Sequence, residues 1–171
     1  EVSCLVVRLA NYIDDKFLAA YPNLNVLASP TTGVTHIDLK ACRRKGLRVF
    51  TLKDCMSQLE NITSTAELTL GLIIALVRRI PQANLSTVEQ GAWNRNEFCS
   101  RQLSSLKLGI IGFGRIGKWM AKYAKNLGMN VSAYDPHIPE HIFDLEGVES
   151  LELNEICSHS DILTIHADLR S

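Results

Sequence analysis

This chain predicts an α/β fold built on parallel sheets, and three observations carry the prediction. Short apolar runs alternate twice with polar loop-and-helix segments before residue 52. A second alternation starts at Leu108 and runs to His166. Between them lies a stretch, residues 66–80, that is apolar almost all round and reads as one long helix.

The elements follow in order. Residues 4–7 (Cys-Leu-Val-Val) form a buried strand. Asp14 and Asp15 cap a helix reaching about Tyr21, and Pro22 stops it. Residues 25–28 are a second strand, and residues 29–36 a loop. Asp38 starts a helix that ends near Gly46, with Arg43, Arg44 and Lys45 where the helix dipole favours cations. Residues 47–51 are a third strand. Residues 53–61 break the pattern as a loop or irregular turn; at 171 residues the chain suits one large domain or two small ones. Thr63 or Ser64 then caps the long helix, with Glu67 three residues beyond Ser64 in capping-box spacing. A helix so evenly apolar is buried on more than one side, between two domains or against a partner chain. Pro81 permits a bend into a second helix over about 82–89, which residues 91–94 end. Residues 95–106 are a polar connector.

The second alternation centres on Leu108-Gly109-Ile110-Ile111 running into Gly112-Phe113-Gly114-Arg115-Ile116-Gly117. An amphipathic run, 118–127, follows, then an apolar run, 130–134, that ends in Asp135. Strand, glycine turn, helix, strand and acid in this spacing are the Rossmann-type dinucleotide-binding unit. Gly112 permits the tight turn, Gly114 lets the backbone approach a pyrophosphate, and Gly117 lets helix and strand pack closely. Free N–H groups and the positive dipole end of the helix face the phosphates. Asp135 accepts hydrogen bonds from both ribose hydroxyls. Pro136, His137 and Ile138 follow it with no Lys or Arg for a 2′-phosphate, so the expected cofactor is NAD. Further on, a loop containing Pro and His leads to a short strand at 148–151, a short helix at 154–157 and a fourth strand at 161–166.

Composition excludes several classes. Eighteen basic and eighteen acidic residues cancel, so there is no nucleic-acid footprint. The five cysteines, Cys4, Cys42, Cys55, Cys99 and Cys157, are scattered with no CxxC pair, which fits reduced thiols in the cytoplasm and no metal site. The N-terminus has no basic n-region, so no signal peptide is expected, and the sequons at Asn61 and Asn84 are read as chance. The most apolar window, 68–80, is too short to span a bilayer. No histidine is assigned as a catalytic base. His137, His141 and His159 read as solvated. His36 either touches a ligand or lies on the loop surface, and His166 either contacts the cofactor or simply packs. Glu67 reads as a first-turn carboxylate, Arg78 and Arg79 as a solvated last turn, and Cys55 as inert.

These residues resemble the D-isomer-specific 2-hydroxyacid dehydrogenases, near the phosphoglycerate-dehydrogenase-like branch. The likeness covers essentially the whole chain. It is carried by Pro22-Asn23-Leu24 into Val26-Leu27, by Thr32-Gly33-Val34 with Ile37-Asp38-Leu39, and by Ser64-Thr65-Ala66-Glu67-Leu68-Thr69. Gly91-x-Trp93, the glycine motif and Tyr134-Asp135-Pro136 complete it. The resemblance implies a partial flavodoxin-like substrate domain over 1–61 and a partial NAD-binding domain over 62–171, with the active site between them. It places backbone groups of Thr31, Thr32 and Gly33 on the substrate carboxylate and Arg115 and Ile116 on the pyrophosphate. It places His166 and Ala167 along the cofactor cleft and Thr65 near the nicotinamide, and it gives the helix at 66–80 to a homodimer. Thr35 stands where the family often has Asp. Ser29 stands where phosphoglycerate enzymes commonly have a basic residue, which points away from that substrate.

The family's substrate-clamping Arg and its His–Glu pair lie beyond the fourth strand, and this sequence has no positions for them. The expectation is a truncated NAD-dependent oxidoreductase of small 2-hydroxy or 2-keto acids that holds the cofactor without turning over alone. The alternatives are a non-catalytic, dimerising NAD-binding module and an inactive fragment.

Overall fold

A computed structural model describes residues 2–93 and 95–167, and the chain divides at Asn61 into two units. The first holds β1 (Cys4–Val6), α1 (Asp15–Ala19), β2 (Val26–Ser29), α2 (Leu39–Arg44) and β3 (Arg48–Thr51). The strands are parallel in the order β1-β2-β3, with Leu27 level with Leu5 and Val49. Parallel neighbours need crossovers, which α1 and α2 supply. Each helix starts on an aspartate. Asp14 Oδ1 accepts the Phe17 N–H at 2.8 Å, and Asp38 Oδ1 accepts those of Lys40 and Ala41, each at 2.9 Å. The Ala41 bond is the main cause holding the Asp38 carboxyl below its ordinary value. Ile13, Leu18, Leu27, Ala41 and Cys42 are the centre of this unit's core.

Three expectations shift here. The first strand was expected to be buried. It is a sheet edge, and Cys4 and Val6 are exposed. α1 ends at Ala19, short of Tyr21. The segment after β3 is a 3₁₀ helix, Leu52–Leu59, opened by a capping box between Thr51 and Asp54 and kinked at Cys55.

The second unit holds α3 (Ser64–Val77), α4 (Ile80–Gln90), β4 (Lys107–Ile111), α5 (Arg115–Asn126), β5 (Asn130–Tyr134), α6 (Glu140–Glu146), β6 (Glu149–Ser150), α7 (Leu153–His159) and β7 (Ile162–Ile165). Its four strands are parallel in the order β6-β5-β4-β7. β4 is central, and its Leu108 and Ile110 are fully buried. α5 turns Gly117, Met120, Ala121 and Ala124 inward, the i, i+3, i+4, i+7 stripe of an amphipathic helix. Phe113, in the glycine turn, stacks on Phe143 of α6 with ring centroids 4.7 Å apart and planes 10° apart.

The long helix differs most from expectation. It ends at Val77, and residues 66–80 are not one helix. Arg79 takes a left-handed conformation, φ +52°, and α4 starts at Ile80. Pro81 sits in the first turn of α4, where its missing N–H removes no helix bond. Arg79 is tied down: its Nη1 donates to the Glu97 carbonyl at 2.7 Å, and its guanidinium lies over Phe98. No capping box forms at the start of α3. Thr63 is the N-cap, and its hydroxyl donates to the Glu67 carboxylate instead. Within this chain α3 buries only Ala66 and Ile73, while Leu68, Leu72 and Leu76 stay exposed. The loop expected after Asp135 contains α6. Asn94, expected in the turn after α4, lies outside the described residues. No single helix among the described residues is long and apolar enough to cross a membrane.

Phe143 and Phe113 are both almost fully buried, so Phe143→Ala is expected to cost about 3–5 kcal/mol. Urea unfolding followed by circular dichroism measures it. A loss below about 1 kcal/mol would show that the stacked pair is not central to the core.

Candidate functional site

The glycine turn sits at the C-terminal end of β4, where open parallel sheets bind ligands. Gly112 has φ +92°, and its N–H donates to the Tyr134 carbonyl at 2.8 Å. A Cβ there would lie 2.6 Å from the Ala167 nitrogen and the His166 carbonyl carbon. A Cβ on Gly117 would come within 2.3 Å of the Gly112 oxygen. Both positions exclude any side chain on steric grounds. Gly114 is different. Among the described residues, a Cβ there would meet nothing within 4 Å, which leaves space for an incoming group. Gly114 is also the N-cap of α5 and offers no side chain to the first-turn N–H groups. The uncapped first-turn N–H groups and the helix dipole suit an anion by charge.

Asp135 is fixed at the end of β5. Its Oδ2 accepts the Phe113 N–H at 2.9 Å, and its Oδ1 accepts the His137 N–H at 2.9 Å. Each oxygen keeps a second lone pair for an external donor. The carboxylate therefore locks the turn and remains able to accept further hydrogen bonds.

The other expected residues of this site gather nearby. The Arg115 guanidinium donates to the Ile62 carbonyl, three residues before Thr65. Ile116 is half-buried against the core. Thr65 is exposed in the first turn of α3, and its carbonyl accepts the Thr69 hydroxyl at 2.8 Å. His166 donates its N–H to the Ile111 carbonyl at 2.7 Å, and its Nε2 lies 2.9 Å from Thr164 Oγ1. Burial pushes the His166 pKa down from 6.5, so a neutral imidazole stands beside the turn at neutral pH. Ala167 follows it against Gly112.

In the first unit, Thr31, Thr32 and Gly33 form the loop after β2. The Thr31 hydroxyl donates to the Gly33 carbonyl at 2.7 Å, and the Thr31 carbonyl accepts the Leu52 N–H at 3.1 Å. His36 lies neither on the loop surface nor in an exposed position: it is 6% exposed. His137, His141 and His159 are exposed. Among the described residues no group of three His, Cys, Asp or Glu side chains is placed to hold a metal ion. Two features escaped the sequence reading. One is Phe113 as the anchor of the turn, signalled only by an aromatic between two glycines. The other is the Ser29–His36 contact, for which no local signal exists.

Comparison with known proteins bears on this geometry. The family described as "D-isomer specific 2-hydroxyacid dehydrogenase, NAD binding domain" matches residues 70–171. The D-3-phosphoglycerate dehydrogenase of Methanocaldococcus jannaschii is 38% identical over 170 residues, covering 99% of this chain and 31% of that protein. The hydroxypyruvate reductase of Thermotoga maritima is 35% identical, over 99% of this chain and 52% of its own. A D-lactate dehydrogenase from Aquifex aeolicus, solved with NAD and lactic acid, superposes with a TM-score of 0.83 at 28% identity, covering 98% of this chain and 48% of that one. The chain thus spans about a third to a half of the length of these relatives. With its strand–glycine turn–helix unit matched in both sequence and shape, the chain belongs to the D-isomer-specific 2-hydroxyacid dehydrogenase family, of which residues 70–171 are the NAD-binding domain.

Proposed function

We propose that this chain is the cofactor-holding portion of an NAD-dependent oxidoreductase that moves hydride between NAD and the α-carbon of a small 2-hydroxy or 2-keto acid. The observation that carries the reading is the open space over Gly114 beside the uncapped start of α5. When bound, NAD supplies a nicotinamide ring that accepts or returns hydride. Gly112 and Gly117 keep the turn tight, and Gly114 admits the pyrophosphate. Arg115 and Ile116 lie along the pyrophosphate, with the Arg115 guanidinium exchanging the Ile62 carbonyl for phosphate oxygen. Asp135 uses its free lone pairs on the adenine ribose hydroxyls. A 2′-phosphate would meet that carboxylate with no cation in Pro136-His137-Ile138, which favours NAD over NADP. His166 and Ala167 border the cofactor, and Thr65 lies near the nicotinamide end. Backbone groups of Thr31, Thr32 and Gly33 take the substrate carboxylate. Ser29 offers no charge there, so an unphosphorylated acid suits the loop better. Within residues 1–171 no side chain is assigned to the proton transfer.

The exposed stripe Leu68, Leu72 and Leu76 repeats every fourth residue along α3, as a helix packing on a second copy would. A homodimer is proposed through α3, in place of the single helix at 66–80 expected earlier. The unpaired thiols favour the cytoplasm. Leu72→Glu is expected to shift the chain from dimer to monomer in multi-angle light scattering; a monomeric parent chain would contradict the dimer.

The cofactor reading is tested by calorimetric titration with NADH. Gly114→Ala is expected to weaken NADH binding about tenfold or more while changing unfolding stability by less than about 0.5 kcal/mol. Gly112→Ala should lose about 2 kcal/mol or more of stability, from left-handed strain and backbone overlap. NADH binding by Gly114→Ala as tight as by the parent chain, or no binding by the parent chain, would overturn the reading.

A further inference from the structure

A chain of hydrogen bonds leads from the buried His36 to the acid-binding loop. His36 Nε2 lies 3.1 Å from Ser29 Oγ, Ser29 Oγ 2.8 Å from Thr31 Oγ1, and Thr31 Oγ1 2.7 Å from the Gly33 carbonyl oxygen. Ser29 and His36 are 4% and 6% exposed, so water does not compete for the bond between them.

The last member of the chain sets every direction. A carbonyl only accepts, so the single hydroxyl proton of Thr31 goes to Gly33. Thr31 Oγ1 then accepts the single proton of Ser29, and Ser29 Oγ accepts from His36. His36 therefore carries a proton on Nε2. Its Nδ1 is buried with no partner among the described residues. A proton moved to Nδ1 would be a buried donor without an acceptor, and it would leave Ser29 without its donor.

The consequence reaches the backbone. The Gly33–Val34 peptide is trans, so turning the Gly33 carbonyl toward Thr31 turns the Val34 N–H to the opposite side. The N–H groups of Thr32, Gly33 and Val34 meet no acceptor among the described residues. We propose that His36, acting through Ser29 and Thr31, is a positioning residue that aims the Val34 N–H, beside those of Thr32 and Gly33, at the carboxylate of the acid substrate. The proposal rests on the carboxylate role given to this loop above. It adds Val34 to the donors and makes the His36 tautomer a determinant of affinity, although His36 does not touch the acid.

The test uses this chain with pyruvate as the probe and NADH present, followed by amide ¹H–¹⁵N spectra. In the parent chain the amides of Thr32, Gly33 and Val34 should shift on adding pyruvate, and the imidazole ¹⁵N spectrum should show His36 protonated on Nε2. His36→Leu should weaken pyruvate binding about tenfold, as expected for one lost buried hydrogen bond. His36→Gln, whose amide N–H can replace the Nε2 donor, should bind within about threefold of the parent. NADH affinity should be unchanged in both variants, and amides outside the loop report that they fold. If the parent amides do not respond to pyruvate, the carboxylate role fails and the proposal with it. If they respond but His36→Leu binds equally well, His36→Gln fails to restore binding, or the proton sits on Nδ1, the proposal alone fails and the carboxylate role stands. The imidazole measurement needs no variant.

Discussion

The hydrogen bond from the Phe113 N–H to Asp135 Oδ2 is the constraint on which the second unit's site depends. It joins the ends of two adjacent parallel strands through one carboxylate. β4 delivers the glycine turn and β5 delivers the acid, in a register that sets Ile111 beside Tyr134. Below the turn, the Phe113 ring is buried against Phe143. The residue between the first two glycines is thus held by its side chain from below and by its N–H from the side. Its neighbours need no side chains of their own to keep the turn in place.

With the turn so held, each glycine has a separate reason to be there. Gly112 and Gly117 are constrained by the protein's own backbone: by His166 and Ala167 in one case, and by Gly112 itself in the other. A Cβ on Gly114 would meet nothing within 4 Å among the described residues, which suits the pyrophosphate contact proposed for it. On the proposed reading, a phosphate at this turn would be drawn by backbone N–H groups, the helix dipole and the Arg115 guanidinium, while burial lowers the pKa of the neighbouring His166. On the reading proposed for the first unit, the acid's carboxylate would likewise meet backbone N–H groups.

Legibility followed the range of the interactions. Asp14 and Asp38 cap their helices through N–H groups two or three residues away, and both caps could be read directly. The glycine unit was readable because Gly112 and Gly117 obey steric rules set by the backbone around them. α6 was not. It is seven residues long and buries only Phe143, too little for a periodic signal, and Pro139 before it and Gly147 after it were its only marks. The break at Arg79 was misplaced by two residues because Pro81 is the visible breaker. The residue that turns is set by Glu97 and Phe98, almost twenty positions on. The same range effect hid the contact of His36 with Ser29, seven residues away.

Amide hydrogen exchange at Phe113 in the chain without nucleotide tests most directly whether the turn is built before the cofactor arrives. The bond to Asp135 and the buried ring predict slow exchange, comparable with the amides of β4, and faster exchange in Asp135→Ala. Exchange at the rate of an open loop, slowed only by adding NADH, would contradict the account.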